Sequence, residues 1–172
     1  MENVDAIEPQ WFAVNVRSRH EFQVLERLTM KGVEAFLPTV EKLRRWKDRK
    51  KLVSFPLFPG YLFVHIPKRA NDILNVLKIN GAVNLLSGAP GEPVPVPDEQ
   101  IISLIKAVES NEPLDPYPYL KEGQRVRIMH GPMRGVEGML VQKAGRHMLV
   151  LSVDILTQGV ALSINASDVE RI

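Results

Sequence analysis

Four aromatic rings within nine residues form the densest group of side chains in this sequence that could recognise another molecule. They stand in the segment FPLFPGYLFVHI and belong to Phe55, Phe58, Tyr61 and Phe63. On an extended strand alternate side chains face opposite ways. Tyr61 and Phe63 therefore share one face, and the other face carries the aliphatic residues Leu62, Val64 and Ile66. The ring-bearing face, with Phe58 brought to it by the bend at Pro59 and Gly60, could form a groove for a helix of a partner protein.

Burial inside the protein is the alternative for the same rings, because a strand that is apolar on both faces is commonly covered by the protein's own elements on both sides. An aromatic anchor at an interface often contributes about 2 kcal/mol or more, so the two interpretations differ strongly in their consequences. Pro59 and Gly60 are structural in either case, since they shape the bend.

A second group of side chains is basic. The ten residues from Lys42 to Lys51 contain seven basic side chains and one acid, whereas residues 98–116 carry five acids and one lysine. The net charge is only +2, so contact with nucleic acid depends on such local clusters. Trp46 stands within the basic segment, which could therefore combine phosphate attraction with base stacking, as single-strand binders do. Ordinary solvated charge is the alternative, and we expect the segment to be a loop or a hairpin tip.

No catalytic motif organises the remaining polar residues. The sequence has no GxSxG, HExxH or phosphate-cradling motif and no paired-carboxylate spacing. The absence of cysteine excludes disulfides, thiol catalysis and cysteine-ligated zinc. The four histidines are scattered and are His20, His65, His130 and His147. We expect no enzymatic activity, no cofactor and no metal.

Apolar runs in the sequence are too short for a membrane span of roughly 18 residues or more. The first ten residues also lack a basic region followed by an apolar one, as a secretory signal would have. We therefore expect a cytoplasmic protein without membrane contact. A chain of 172 residues has room for one large or two small domains, and two are plausible.

The elements before the rings are predicted to be a strand, a helix and a second strand. Residues 10–17 are predicted to form a strand that places Phe12, Val14 and Val16 on one face. Ser18 followed three residues later by Glu21 predicts a capping box at the start of a helix, with Phe22 on its apolar side and Gly32 as its stop. Residues 34–40 look like a second strand, and residues 57–66 are the strongest strand in the chain.

The following residues alternate helices with short extended segments. Residues 71–78 have helical spacing, 82–87 fit a short strand, 88–97 are too rich in proline for a central strand, and Asp98 caps a helix whose apolar side includes Ile102. This order predicts an α+β fold over residues 1–110, with a mostly antiparallel sheet flanked by helices. Residues 111–119 hold three prolines and predict a linker. Short β-rich runs between turns then predict a small β-barrel over residues 120–172.

Two segments resemble a known family. Residues 120–142, LKEGQRVRIMHGPMRGVEGMLVQ, are similar to the KOW motif, which consists of a strand, a glycine-containing turn and a second strand. The earlier segments WFAVNVRSRHEFQVLERL, FLPTV and PLFPGYLFVHI look like the N-terminal domain of NusG. Their order before a linker and a KOW module matches the NusG family over nearly the whole chain. The resemblance implies an SH3-like barrel for the KOW module.

What this resemblance implies is a monomeric transcription elongation and antitermination factor. In that family the N-terminal domain binds the clamp helices of RNA polymerase, favours the closed enzyme and suppresses pausing or termination. The KOW domain recruits a further factor, such as Rho or a small-subunit ribosomal protein. The positions implied for polymerase contact are Asn15, Phe58, Tyr61 and Phe63. Leu156 is the position implied for the KOW partner.

Contact with upstream or non-template DNA is implied for a basic group around the first helix. Its members are Arg17, Arg19, His20 and Arg27. A helix N-terminus and guanidinium groups both favour phosphate, which agrees with that role. Arginines on an exposed helix are often simply solvated, and for Arg27 that is the preferred interpretation.

The basic segment before the rings is more similar to specialised paralogues of the RfaH and UpxY type than to housekeeping NusG. Leu156 stands where a housekeeping protein often has an aromatic residue, which argues against conventional recruitment of the ribosome. The alternatives are a housekeeping NusG that assists Rho-dependent termination, or a ribosome-associated RNA-binding protein. Some specialised relatives refold the KOW domain into a helical hairpin, but the β-branched residues and turn glycines here favour the barrel.

Overall fold

The computed structural model describes residues 7–88, 91–120 and 122–172. Their strands are β1 (Gln10–Val16), β2 (Glu34–Phe36), β3 (Thr39–Trp46), β4 (Arg49–Pro56), β5 (Tyr61–Ile66), β6 (Ala82–Leu85), β7 (Asp115–Pro118), β8 (Gln124–Ile128), β9 (Glu137–Lys143), β10 (Arg146–Val153), β11 (Gln158–Ser163) and β12 (Val169–Arg171). Their helices are α1 (Glu21–Met30), α2 (Ala70–Leu77), α3 (Asp98–Glu109) and the 3-10 turns Asp154–Leu156 and Ala166–Asp168. This mixture of helices with antiparallel strands confirms the predicted α+β class.

The chain forms two compact units. The first contains the described residues of 1–37 and 58–98, and the second those of 38–57 and 99–172. The predicted division into residues 1–110, 111–119 and 120–172 followed chain order and stays a prediction. Three predicted features lie partly outside the described residues. They are the N-terminal segment expected to lack a secretory signal (positions 1–6), the proline-rich segment 88–97 (positions 89–90) and the KOW-like segment (position 121).

A four-stranded antiparallel sheet with the order β2-β5-β1-β6 is the centre of the first unit. One face of this sheet carries Phe12, Val14, Leu62 and Val64, which are fully buried together with residues of α1 and α2. The predicted alternation along β1 and β5 therefore places an apolar row against the two helices. Fully burying such a side chain contributes roughly 1.5–3 kcal/mol, so this face supplies the main core of the unit.

Helix α1 begins differently from its prediction. His20 is its N-cap and no side chain caps the helix, so the capping box of Ser18 and Glu21 was wrong. The Glu21 carboxylate instead accepts a hydrogen bond from the Gly60 N–H at 2.9 Å. The buried stripe of the helix consists of Glu21, Val24 and Leu28. Phe22 lies off that stripe and remains 45% exposed, so its predicted place on the packed side was also wrong.

The predicted strand 34–40 is divided into β2 and the start of β3, with Leu37 and Pro38 between them. From there the basic segment forms an antiparallel hairpin rather than a loop. Its strands pair from Thr39 opposite Pro56 to Trp46 opposite Arg49. Residues 47 and 48 form the turn. Of the two structures predicted for the basic segment, a loop and a hairpin tip, the hairpin tip is therefore correct.

A six-stranded antiparallel sheet with the order β12-β8-β9-β10-β11-β7 dominates the second unit. Its buried residues include Val126, Leu149, Leu151 and Val160. The β-rich character predicted for the C-terminal residues is confirmed. Strand β7 lies within the predicted linker and pairs with β11, so residues 115–118 belong to this sheet. Within the described residues, none of the helices has the length and apolar character required to cross a bilayer.

Candidate partner-binding surface

Of the four predicted rings, Tyr61 and Phe63 lie on the sheet face opposite the α1 and α2 core, whereas Phe55 lies on β4 of the second unit. Strand register places Phe63 opposite Ala13 and Tyr61 opposite Asn15. The Phe58 and Phe63 rings pack edge to face with centroids 6.4 Å apart. Phe36 stacks on Phe63 from the neighbouring strand at 6.3 Å. These residues form a continuous aromatic cluster in the first unit.

Exposure of these rings differs from the prediction. Phe58 is 1% and Phe63 is 0% exposed, so the expectation that both rings are open to a partner was wrong for this state of the protein. The Tyr61 N–H donates to the Phe58 carbonyl at 3.0 Å, and this tight bend brings the Phe58 ring onto Phe63. Tyr61 and its neighbour Asn15 are only half-buried. The polymerase-binding role of all four residues stays a prediction.

The bend itself is held by Glu21. Gly60 has φ +86°, a conformation that glycine adopts without strain. Its N–H donates to the Glu21 carboxylate at 2.9 Å, and its carbonyl accepts from the Val16 N–H at 2.8 Å. Glu21 is only 6% exposed. The local sequence pattern predicts a helix cap for Glu21 and gives no signal for this contact, because the partner lies 39 residues away.

Replacing Glu21 tests its role in holding the bend. Glu21→Ala should lower the free energy of unfolding by roughly 1.5–3 kcal/mol, because a hydrogen bond to a charged acceptor is lost and a backbone donor is left unpaired. Glu21→Gln keeps an acceptor oxygen and should lose about half as much. Chemical denaturation followed by circular dichroism measures both values. An alanine variant as stable as the parent would refute this role.

The basic turn between β1 and α1 brings three of the four predicted nucleic-acid residues together. Arg17 and Arg19 are exposed. Arg19 has φ +64°, which is unusual for a residue with a side chain. The His20 Nδ1–H donates to the Ser18 carbonyl at 2.9 Å, and the Arg17 N–H donates to the Gly81 carbonyl at 2.8 Å. These two contacts hold the turn, while both guanidinium groups remain accessible.

Arg27 is placed differently from the other three basic residues. It is half-buried, and its Nη1 donates to the Asn80 carbonyl at 2.6 Å. This bond ties α1 to the residues after α2. Arg27 thus has a structural contact, in place of the solvated position preferred from sequence, and its predicted contact with DNA is untested.

Leu156 lies in the 3-10 turn Asp154–Leu156 and is 7% exposed, so it is not open to a partner in this state. The Asp154 carboxylate accepts hydrogen bonds from Gln100 Nε2 at 2.9 Å and from the Tyr119 hydroxyl at 3.1 Å. Desolvation raises the pKa of Tyr119, and the hydrogen bond to Asp154 and its negative charge raise that pKa further. Polar contacts therefore fix the turn, while its leucine points away from solvent.

Together the fold and the aromatic surface define a two-unit α+β protein built from a helix-covered sheet and a separate β-rich sheet. The family model described as NusG, transcription termination factor nusG, matches residues 9–105. The chain belongs to the NusG family and is a transcription termination/antitermination factor.

Curated relatives and a solved structure agree with this assignment. The transcription termination/antitermination protein NusG of Borreliella burgdorferi is 26% identical, with 94% of this chain and 98% of the relative covered. NusG of Thermus thermophilus is also 26% identical, over 77% of this chain and 82% of the relative. A structure concerning domain interaction in Thermotoga maritima NusG has a TM-score of 0.55 at 23% identity and covers 98% of this chain and 99% of that one. This last similarity concerns the fold alone.

Proposed function

We propose that this protein is a transcription elongation and antitermination factor that binds the clamp helices of RNA polymerase and suppresses pausing or termination. The observation that supports the proposal most is the match of the NusG family model to residues 9–105, which include the whole aromatic cluster. Catalysis has no part in the proposal, since transcription factors of this family generally act by binding.

Tyr61 and Asn15 are the proposed accessible contacts on the polymerase-binding face. A tyrosine offers a large apolar ring together with a hydroxyl, and it loses little conformational entropy on binding. The Asn15 amide beside it can both donate and accept hydrogen bonds. In the state described, the Phe58 and Phe63 rings are buried, so direct contact of these two rings with polymerase requires that they become accessible on binding.

Truncating Tyr61 tests the polymerase-binding face. Tyr61→Ala should weaken binding to RNA polymerase about thirtyfold, which corresponds to the loss of an aromatic anchor of about 2 kcal/mol. Tyr117→Ala is the matched control, because it makes the same truncation in the C-terminal sheet. Biolayer interferometry with immobilised polymerase measures both, and circular dichroism verifies folding. Equal affinity of the Tyr61 variant and the parent would remove Tyr61 from the interface.

The exposed guanidinium groups of Arg17 and Arg19 are proposed to contact upstream or non-template DNA in the elongation complex, with His20 beside them. Two accessible cations on an ordered turn suit phosphate, and their contribution should fall with added salt. Arg17→Glu combined with Arg19→Glu should reduce crosslinking to the non-template strand several-fold. Arg134→Glu, an exposed arginine of the second unit, is the control. Unchanged crosslinking of the double variant would eliminate this contact.

The β-rich C-terminal sheet is proposed to recruit a further factor, either Rho or a small-subunit ribosomal protein. We favour a specialised RfaH or UpxY type of factor over a housekeeping NusG, because of the basic hairpin and Leu156. A readthrough assay with and without Rho separates the two, since a housekeeping factor should increase Rho-dependent termination. A ribosome-associated RNA-binding protein remains the other alternative, and binding to ribosomes in the absence of polymerase would favour it.

A further inference from the structure

We propose that the hairpin β3–β4 carries a binding site for single-stranded nucleic acid on one of its two faces. The site uses none of the residues of the aromatic cluster or of the basic turn before α1, and it requires no polymerase. The proposal rests on three observations, which are the sorting of charge between the faces, the availability of the cations and the position of Trp46.

Strand register divides the hairpin into two unlike faces. Residues opposite each other in an antiparallel pair share a face, and alternate residues along a strand face opposite ways. One face, called here the basic face, therefore has four cations and no acid, and these are Lys42, Arg44, Arg49 and Lys51. The other face carries the cross-strand pair of Leu43 and Leu52, with Arg45 and Lys50 on one side and Glu41 on the other. The charge is thus concentrated on one side.

The cations of the basic face are available to a ligand. All four side chains are exposed. Among the residues that the structure describes, none of the hairpin cations takes part in an ion pair. Lys42 and Arg44 are two residues apart on one strand, about 6.7 Å along its axis. Such a row of unpaired cations can follow the successive phosphates of an extended strand.

Trp46 supplies a platform for a base at the end of this row. It lies on the basic face opposite Arg49 and is 52% exposed. The Arg49 guanidinium lies over the indole ring at 5.7 Å, which orders the ring and leaves its other side free to stack. Base stacking on an aromatic ring requires an unpaired base, because the base faces of a duplex are already covered. The ligand with this chemistry is a single strand, either DNA or RNA.

Matched double variants test whether one face is the site. Arg44→Gln with Lys51→Gln removes a cross-strand pair of cations from the basic face, and Arg45→Gln with Lys50→Gln removes the adjacent pair from the other face. We expect the first variant to bind labelled oligodeoxythymidine about tenfold more weakly and the second less than about threefold more weakly. The salt dependence of the first should also fall by about 1.4 in log–log slope, for two lost phosphate contacts.

Fluorescence anisotropy with the full chain measures these affinities, with oligouridine and a duplex of the same length as further ligands. Tighter binding of either single strand than of the duplex supports the proposal. The relative affinities for oligodeoxythymidine and oligouridine show whether the preferred single strand is DNA or RNA. Equal losses in the two double variants would overturn the proposal. Binding of the duplex or of heparin as tight as that of the single strands would also overturn it, because the site would then attract polyanions in general. No polymerase is present, so failure here leaves the proposed function intact.

Trp46 gives an independent measurement. The other tryptophan, Trp11, is 8% exposed, so quenching of the exposed fluorophore by the oligonucleotide should come from Trp46. Trp46→Leu should weaken binding about tenfold and remove the quenching, while Trp46→Phe should retain most of the affinity. Full quenching in the Trp46→Leu variant, or unchanged affinity, would exclude stacking. Circular dichroism confirms that each variant is folded.

Discussion

Phe63→Ala should lower the free energy of unfolding of the first unit by about 3–5 kcal/mol, the usual cost of removing a buried phenylalanine ring. Phe63 lies on β5, between β2 and β1, and has no exposed surface. Its ring contacts Phe36 on one side and Phe58 on another, so the cavity cannot close without moving two further aromatic residues. Since a domain of this size is stable by only about 5–15 kcal/mol, the variant should lie near its unfolding threshold.

Chemical denaturation followed by circular dichroism measures this loss, and Phe22→Ala is the matched control. Phe22 is 45% exposed on α1, so removing its ring should change stability by less than about 1 kcal/mol. If the two variants were equally stable, the Phe63 ring would not be packed in solution. The sequence-based prediction of an open, ring-lined groove would then be restored.

Gly81→Ala should destabilise the same unit by about 3 kcal/mol for two separate reasons. Gly81 has φ +103°, where a side chain adds backbone strain of about 1–3 kcal/mol. A Cβ at this position would also lie 2.8 Å from Val24 Cγ2 and 3.3 Å from His20 Cβ, and Val24 is fully buried. Relief of that contact requires a shift of α1, which overpacking usually makes costly by about 1–3 kcal/mol.

Gly32→Ala separates strain from overpacking. Gly32 has φ +75°, but a Cβ there would meet no atom within 4 Å. This variant should therefore lose only the strain contribution, about 1 kcal/mol. Thermal unfolding of both variants measures the difference. Equal losses would mean that the contact with Val24 relaxes without cost. Because the Gly81 carbonyl accepts the Arg17 N–H, the Gly81 variant should also alter the amide chemical shift of Arg17.

The sequence alone predicted the α+β class, the strand with Phe12 and Val14 on its buried face, and the β-rich C-terminal residues. These features depend on alternation and helical spacing, which are local properties of the chain. Strand β7 was not predicted from the sequence, because Pro116 and Pro118 argue against a strand. Strand β7 lies at the edge of its sheet, where a missing N–H is tolerated.

Only the tertiary structure decided which candidate residues are accessible. β5 is apolar on both faces, so its sequence could not show whether Phe58 and Phe63 would be covered. The contact of Glu21 with Gly60 joins residues far apart in the chain, and a pattern of neighbours gives no signal for it. The register of β3 with β4 likewise separated the cations of the basic segment onto two faces. Local sequence determines the type of each element, whereas burial and pairing depend on contacts that form only when the chain folds.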